Sequence, residues 1–444
     1  MAAQLAAVAA AAAVLLQRQA GHPAWQTAWA EDRTVFLPRA LLDPWGSFLH
    51  CYGGYVQLVP QLAADVVTRF PLREAAAGFA FTGAVAASGC ALFVFHASAG
   101  QVRQPGLRAL LAASVVLLPV AVIEVANNSV DAQWYLMYAL FWALLWRPAG
   151  RGGAAAAALV SFLAMASNIL NLCYLPLAAA RLAALPRREQ AVVAGWLAGI
   201  AWQAAGIAVR VPAILAPGAA HPLAAPGATA SFYGRHVLLA ALAGWRLAPR
   251  LMAAAGPGGA VAIAAGLLLA GAAWACVAGG TRVRLFLAAA TVLGLVLTVF
   301  PVMIRYWVTL PVSVPVSRVW LPGSRYTVCS VLLIDASAVV AVDAAVRRRA
   351  GRSRLTPAVA VTVLAAVLAA GWVTSYRYGN MRSTAPVWAQ TVARFDRLCR
   401  HRPPAARVDL YPSALPQARS PVPCAHADPA AGRHPGLPDP RTRC

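Results

Sequence analysis

Acidic side chains are scarce in this chain, 14 against 37 basic ones, so the place of each one is informative. Two are adjacent, Glu31-Asp32, and they follow Trp25 and Trp29. Neighbouring carboxylates repel, which lifts the pKa of one toward the working range of a general base. The same pair also reads as a solvated acidic turn, and the residues alone leave both readings open. Arginine supplies the complementary chemistry. Arg305, Tyr306, Arg318, Arg325 and Tyr326 fall close together, and a guanidinium fork grips phosphate with two bonds. Snorkelling to lipid headgroups is the competing use of such arginines. Arg235, after Ser231-Phe232-Tyr233-Gly234, and Arg39 are weaker phosphate candidates. A third group is Glu124, Asn127, Asn128, Asp131 and Trp134. Its acids and amides suit sugar hydroxyls, with Trp134 as a stacking platform; helix capping by Asn128 or Asp131 is the alternative. Asp335 stands among Leu332, Leu333, Ile334 and Val339 without a local partner, whereas Asp343 has Arg347 one turn on.

Composition dictates what holds these residues. Apolar residues make up 60% of the chain and charged residues 11%, against roughly half and about a quarter in a soluble domain. Such a chain cannot cover its own surface with polar groups, which excludes a soluble enzyme and a disordered protein. The formal charge of +23, carried entirely by arginine, lies at the ends of apolar stretches. It therefore points to membrane topology and not to nucleic acid. A bilayer core about 30 Å thick needs ~20 apolar residues per helix. Candidate spans fall near 2–16, 75–98, 107–125, 132–146, 153–169, 170–186, 190–210, 258–278, 285–303, 327–346 and 357–374. The fifth and sixth are interrupted by Asn168, Asn171 and Pro176, and read as two thin passes or one re-entrant hairpin. The expected fold is an all-α polytopic membrane protein of about eleven helices.

Short loops with Arg103 and Arg108, Arg147 and Arg151, Arg187 and Arg188, Arg282 and Arg284, and the run Arg347 to Arg354 alternate with turns that carry none. Arginine is retained in the cytoplasm, so the N-terminus is expected inside and the C-terminal tail outside. The first span lacks a basic flank, which suggests residues missing upstream; a cleaved signal peptide is the rival reading. The outer side receives three loops, 17–74, 211–257 and 304–326, and a tail. The domain expectation is a membrane domain over 1–374, a small outer cap over 375–424 and a disordered end over 425–444. In the first loop, Val56, Val59, Leu62, Val66 and Phe70 recur at helical spacing, with Gln57, Gln61 and Asp65 on the other face. That pattern predicts an amphipathic helix in the outer interface.

The order of features, a first span, an acidic pair early in a long outer loop, then Tyr52-Gly53-Gly54-Tyr55 leading an amphipathic segment, resembles large bacterial glycosyltransferases of the GT-C superfamily. The turn Glu124…Asn128…Gln133-Trp134-Tyr135, the stretch Gly323-Ser324-Arg325-Tyr326 and the tail Trp388…Cys399 are similar to an actinobacterial-type branch. The resemblance implies a multi-pass enzyme of the bacterial plasma membrane. It would move a sugar from a polyprenyl-phosphate donor to an envelope glycan or glycolipid acceptor, with inversion. It implies that Asp32 or Glu31 acts as base, with Asp32 preferred. It also lends weight to donor phosphate at Arg325, Tyr326, Arg305 and Arg235. Acceptor or sugar contacts would come from Tyr55, Glu124, Asn128, Asp131 and Trp134. No cofactor is implied firmly; a divalent cation stays open. The rival functions are a proton-coupled transporter or flippase of lipid-linked sugar centred on Asp335, and a non-enzymatic envelope assembly protein.

No nucleotide-binding loop, catalytic triad or zinc-like Cys/His spacing appears. Cys90, Cys173, Cys276 and Cys329 lie in or beside spans and read as packing residues. In the tail, helical spacing from Trp388 to Cys399 precedes Pro403-Pro404 and an extended run over 406–411. Cys399 and Cys424 share the oxidising side, so a disulfide between them is expected; two free thiols are the alternative.

Overall fold

The computed structural model describes residues 2–44, 46–184, 189–209, 225–305, 323–349, 355–377, 379–410 and 421–427. The helices, in chain order, are α1 (Ala2–Gln17), α2 (Leu37–Leu42), α3 (Leu58–Val67), α4 (Ala75–Ala97), α5 (Pro105–Leu117), α6 (Ala121–Glu124), α7 (Ala132–Leu145) and α8 (Arg151–Ser167). They continue with α9 (Leu175–Ala184), α10 (Ala191–Val209), α11 (Pro226–Tyr233), α12 (Ala240–Ala278), α13 (Thr281–Arg305), α14 (Val328–Arg349), α15 (Leu355–Thr374) and α16 (Trp388–Cys399). Two small antiparallel hairpins complete the fold: β1 (Cys51–Tyr52) with β2 (Tyr55–Val56), and β3 (Arg407–Asp409) with β4 (Pro421–Pro423).

Among the described residues, each of the eleven apolar stretches is mainly helical, the third with a break at 118–120 between α5 and α6. Among the described residues, six helices are long and apolar enough to cross a membrane, and shorter apolar helices pack between them. Large apolar side chains stand exposed along these helices, among them Phe81, Leu267, Leu269, Val277 and Val363. Hydrocarbon, not water, is the solvent that such a surface requires. At the centre, α7 is buried on every side from Ala132 to Leu144, as an all-round apolar helix must be. It is enclosed by α4, α8 and α14.

The helices share two ends. One carries Arg103, Arg147, Arg282 and Arg347; there the buried Asp343 takes Arg347 at 3.0 Å and the backbone N–H groups of Arg103 and Gln104. The opposite end carries the ordered loop 18–74, the 125–131 turn and the tail. At this loop end α5 stops before Pro119 and leaves carbonyls without helical partners. The fully buried Arg18 supplies the donors, bonding the carbonyls of Val116 at 2.6 Å, Leu117 at 3.1 Å and Leu118 at 2.9 Å. The fifth and sixth stretches form two short apolar helices joined by a turn. α8 rises to the loop end, residues 169–174 turn in a 3-10 helix, and α9 returns until Arg181 donates to the Leu144 carbonyl. Asn168 and Asn171 satisfy the backbone at that turn, bonding the Leu170 N–H and the Ala164 carbonyl.

Two expectations need correction. Residues 225–257 are not an outer loop: α11, a π-helical segment over 234–239 and the first part of α12 occupy them. The Ala- and Leu-rich sequence sustains helix, and Gly244 (φ 61°) and Gly256 (φ 71°) bend the chain instead of ending it. The amphipathic helix is α3, shorter than the 56–70 pattern because Val56 belongs to β2. Its apolar face, Leu62 and Val66, is exposed, while Gln57 and Gln61 are buried in protein and do not face water. The tail helix and strand are present, and the Pro-rich segment at 421–423 also pairs as a strand. The 428–444 end, the 306–322 part of the third loop, and residues 210–224 lie outside the described residues.

Candidate functional site

The acids of the loop end converge around α7 and the start of α14. Glu31 and Asp32 open a π-helical turn, Asp32–Phe36, after Trp29. The structure separates the two. Asp32 is fully buried and accepts bonds from the Ser129 hydroxyl at 2.6 Å and the Ser129 N–H at 3.2 Å. Burial pushes its carboxyl up to about 6, against the Ser129 bonds and the nearby Arg382 guanidinium. Arg382 is itself buried and donates to the carbonyls of Asn127, Ala24 and Thr27, which ties the tail to the first loop. Burial brings that guanidinium down to about 10, with Asp32 opposing. Glu31 faces the other way. Its Oε1 meets Arg325 Nη1 at 3.3 Å, and its Oε2 has no protein partner. Asp32 thus holds the turn together, and Glu31 is the carboxylate with a free oxygen.

Arg325 is positioned by its backbone. Gly323 takes a left-handed conformation (φ 99°), and residues 324–327 form a 3-10 turn leading into α14. Glu124 caps this turn, accepting the N–H groups of Gly323 and Arg325 and the Ser324 hydroxyl at 2.9–3.2 Å. A carboxylate at a helix start is electrostatically favoured, so Glu124 positions the turn that carries Arg325. Asn128 is likewise occupied, bonding the Glu124 carbonyl and the Asp131 N–H. Asn127 supports the turn in a left-handed conformation (φ 61°), which asparagine tolerates. Trp134 is buried against Tyr326, ring centroids 5.2 Å apart, and donates to Asp131 Oδ1. It offers no open stacking platform, because Tyr326 covers it.

Asp131 keeps one oxygen, Oδ2, unbonded in a buried setting. Burial raises its carboxyl well above the usual range, opposed by Arg325 and reinforced by Glu31 and Glu124. Tyr55 donates to Gln133 at 3.3 Å, two residues beyond Asp131. Arg235 is half-buried on the 234–239 segment, which touches the Ser324–Thr327 turn. Arg39 donates to the Cys51 carbonyl. Arg305 closes α13, and its side chain, with Tyr306 and Arg318, lies outside the described residues. Among the described residues no three His, Cys, Asp or Glu side chains are placed to hold a metal.

Below Arg325 an apolar cavity of ≈ 460 Å³ runs between α12, α13 and α14, lined by Tyr233, Leu268, Thr291, Ser330, Ile334 and Val342 among others. The helical rise places Ser330 about 7 Å past Arg325 and Val342 about 18 Å further on. On the other flank the cap packs over the first loop: Trp388, Phe395 and Val422 share a core with Phe36 and Leu37. Cys399 and Cys424 are joined in a disulfide.

Sequence reading did not find Arg18, Arg382, Ser129 or the inward role of Gln61. The hairpin was there to be read, since Gly53 and Gly54 (φ 64° and 99°) between tyrosines are a turn signal. The fold defines a helical multi-pass membrane protein. The chain matches no protein-family model, no curated protein and no solved structure.

Proposed function

We propose that this protein is an inverting membrane glycosyltransferase that takes sugar from a lipid-phosphate donor. Supporting this is the Glu31–Arg325 pair, with Arg325 five residues before Ser330, the first α14 residue that lines the apolar cavity. An acid with a free oxygen, a guanidinium and an apolar channel fall in line, as a lipid-phosphate sugar demands. Arginine retention puts the arginine end in the cytoplasm and the site on the outer face, with eleven passes in a bacterial plasma membrane. The donor phosphate sits at Arg325 with its isoprenoid chain along α14. Glu31 takes the proton from an acceptor hydroxyl, whose oxygen attacks the anomeric carbon. The bond from that carbon to the phosphate oxygen breaks, and the electron pair leaves on the lipid phosphate. The envelope glycan or glycolipid acceptor enters from the cap side.

Purified protein in lipid nanodiscs, given polyprenyl-phosphate sugars, tests this reading. Glu31→Gln is expected to lower transfer 10²–10⁴-fold, the usual loss of a general base, with expression and insertion unchanged. Wild-type turnover in Glu31→Gln would remove the assignment. The second reading, a lipid-linked sugar transporter, rests on Asp335. It is buried in mid-helix beside Ser114 and Tyr138, with no ion pair among the described residues. Sugar-lipid movement across sealed vesicles that Asp335→Asn stops would favour it.

A further inference from the structure

The arginine end holds a basic cavity that the transfer chemistry does not use. It has a volume of ≈ 170 Å³, lies between α13 and α14, and is lined by Arg282, Arg347 and Arg348 together. A single water needs only ~10–15 Å³ of such space. The charge there is answered only in part. Arg347 pairs with the buried Asp343 at 3.0 Å, and Asp343 also accepts the N–H groups of Arg103 and Gln104. Among the described residues neither Arg282 nor Arg348 pairs with a carboxylate. The backbone adds charge of the same sign. Gly280 lines the cavity and has no side chain to cap the first N–H groups of α13, which starts at Thr281. The positive end of a 25-residue helix therefore stands beside the guanidiniums. Arg348 reaches close to it: a side chain at Gly280 would begin 3.7 Å from Arg348 Nη2.

Apolar walls favour a lipid phosphate over a free one. Val283, Val340 and Ala344 also line the basic cavity. One turn deeper, Leu287 on α13 and Ala341 and Val342 on α14 line the ≈ 460 Å³ apolar cavity. Val283 and Leu287 are four residues apart, a rise of about 6 Å, so the basic cavity adjoins the apolar one at its arginine end. Val277 and Leu285, close by in the chain, are exposed as hydrocarbon-facing side chains must be. Snorkelling arginines reach outward to the interface singly, whereas these three share one cavity with a helix start. Basic gaps between membrane helices are sites for anionic headgroups.

We infer that the gap between α13 and α14 at the arginine end binds an anionic phospholipid, its phosphate among Arg282, Arg347 and Arg348 and one acyl chain directed toward Leu287 and Val342. The inference does not rest on the transferase reading, and its readout is binding. Protein purified in a neutral detergent is titrated with phosphatidylglycerol or phosphatidylcholine, and bound lipid is counted by native mass spectrometry. Wild type is expected to hold one phosphatidylglycerol about tenfold or more tighter than phosphatidylcholine. An arginine beside an anionic headgroup contributes about fivefold in affinity. Arg282→Gln and Arg348→Gln should therefore each weaken phosphatidylglycerol about fivefold, and together roughly thirtyfold. Arg147→Gln with Arg151→Gln removes the same charge from the same end but outside the cavity, and should leave this binding within about twofold. Millimolar inorganic phosphate should not displace the lipid. Equal affinity for the two lipids would overturn the inference, as would equal losses in the two arginine pairs. Displacement by inorganic phosphate would also overturn it, showing a free-anion site in which the acyl chain plays no part.

Discussion

Asp32 offers the sharpest test of the buried network, because its carboxyl is pushed up to about 6 from an ordinary 3.8. The cause is enclosure, so the folded protein favours the protonated acid more than the unfolded chain does. Stability from this group is therefore fully present below pH ~4 and is lost as pH rises through ~6. The shift of about two units corresponds to about 3 kcal/mol between the two limits. Asn is close in shape to the protonated acid and does not titrate. The perturbation is Asp32→Asn, and the assay is the unfolding midpoint in nanodiscs at fixed scan rate from pH 4 to pH 8. The difference, variant minus wild type, should climb between pH 4 and 6 and level off above 7. Taking the difference cancels every other titrating group. A flat difference would refute the reasoning. A falling one would show that Ser129 and Arg382 stabilise the anion more than burial penalises it.

Further outcomes follow from other contacts. Arg325→Lys keeps the charge but loses the planar fork and its contact with Glu31, so the donor KM should rise roughly tenfold while the unfolding midpoint changes little; an unchanged donor KM would return Arg325 to headgroup snorkelling. Arg18→Met leaves the carbonyls of Val116, Leu117 and Leu118 buried without donors. At ~1 kcal/mol or more each, folded yield and unfolding midpoint should both fall clearly, and a midpoint equal to wild type would contradict the network. The Cys399–Cys424 disulfide closes 25 residues, about 3 kcal/mol by chain entropy. Cys399→Ser with Cys424→Ser should speed proteolysis of the tail near residues 403–424 while the membrane helices stay intact, as gel mapping would show.

The fold was legible because a bilayer admits few solutions: backbone groups in hydrocarbon must bond within the segment, so apolar stretches become helices. Span ends and the Asp343–Arg347 pair follow from local spacing. The residues that hold the loop end together have no such signature. Arg18 and Arg382 bond backbone carbonyls 98 to 358 positions away, and a carbonyl looks the same in every residue. Periodicity showed that α3 has a polar face, but not whether that face meets water or protein. Residues 225–257 were expected within an outer loop, whereas the bends at Gly244 and Gly256 let the helix resume after each break.

The pair Glu31-Asp32 shows why adjacency in sequence carries less than it promises. One residue apart on a helical turn, the two side chains point to different neighbours, Arg325 and Ser129. Repulsion between them is the smallest of the influences on Asp32; enclosure is the largest. The local charge balance supports the same division of roles. Glu31, Asp32, Glu124 and Asp131 meet Arg325 and Arg382, an excess of acids, and burial raises the carboxyls of Asp131 and Asp32. Glu124 is bonded to the turn that starts α14. That leaves Glu31, paired with Arg325 through one oxygen and unbonded at the other, as the carboxylate on which the proposed transfer chemistry rests.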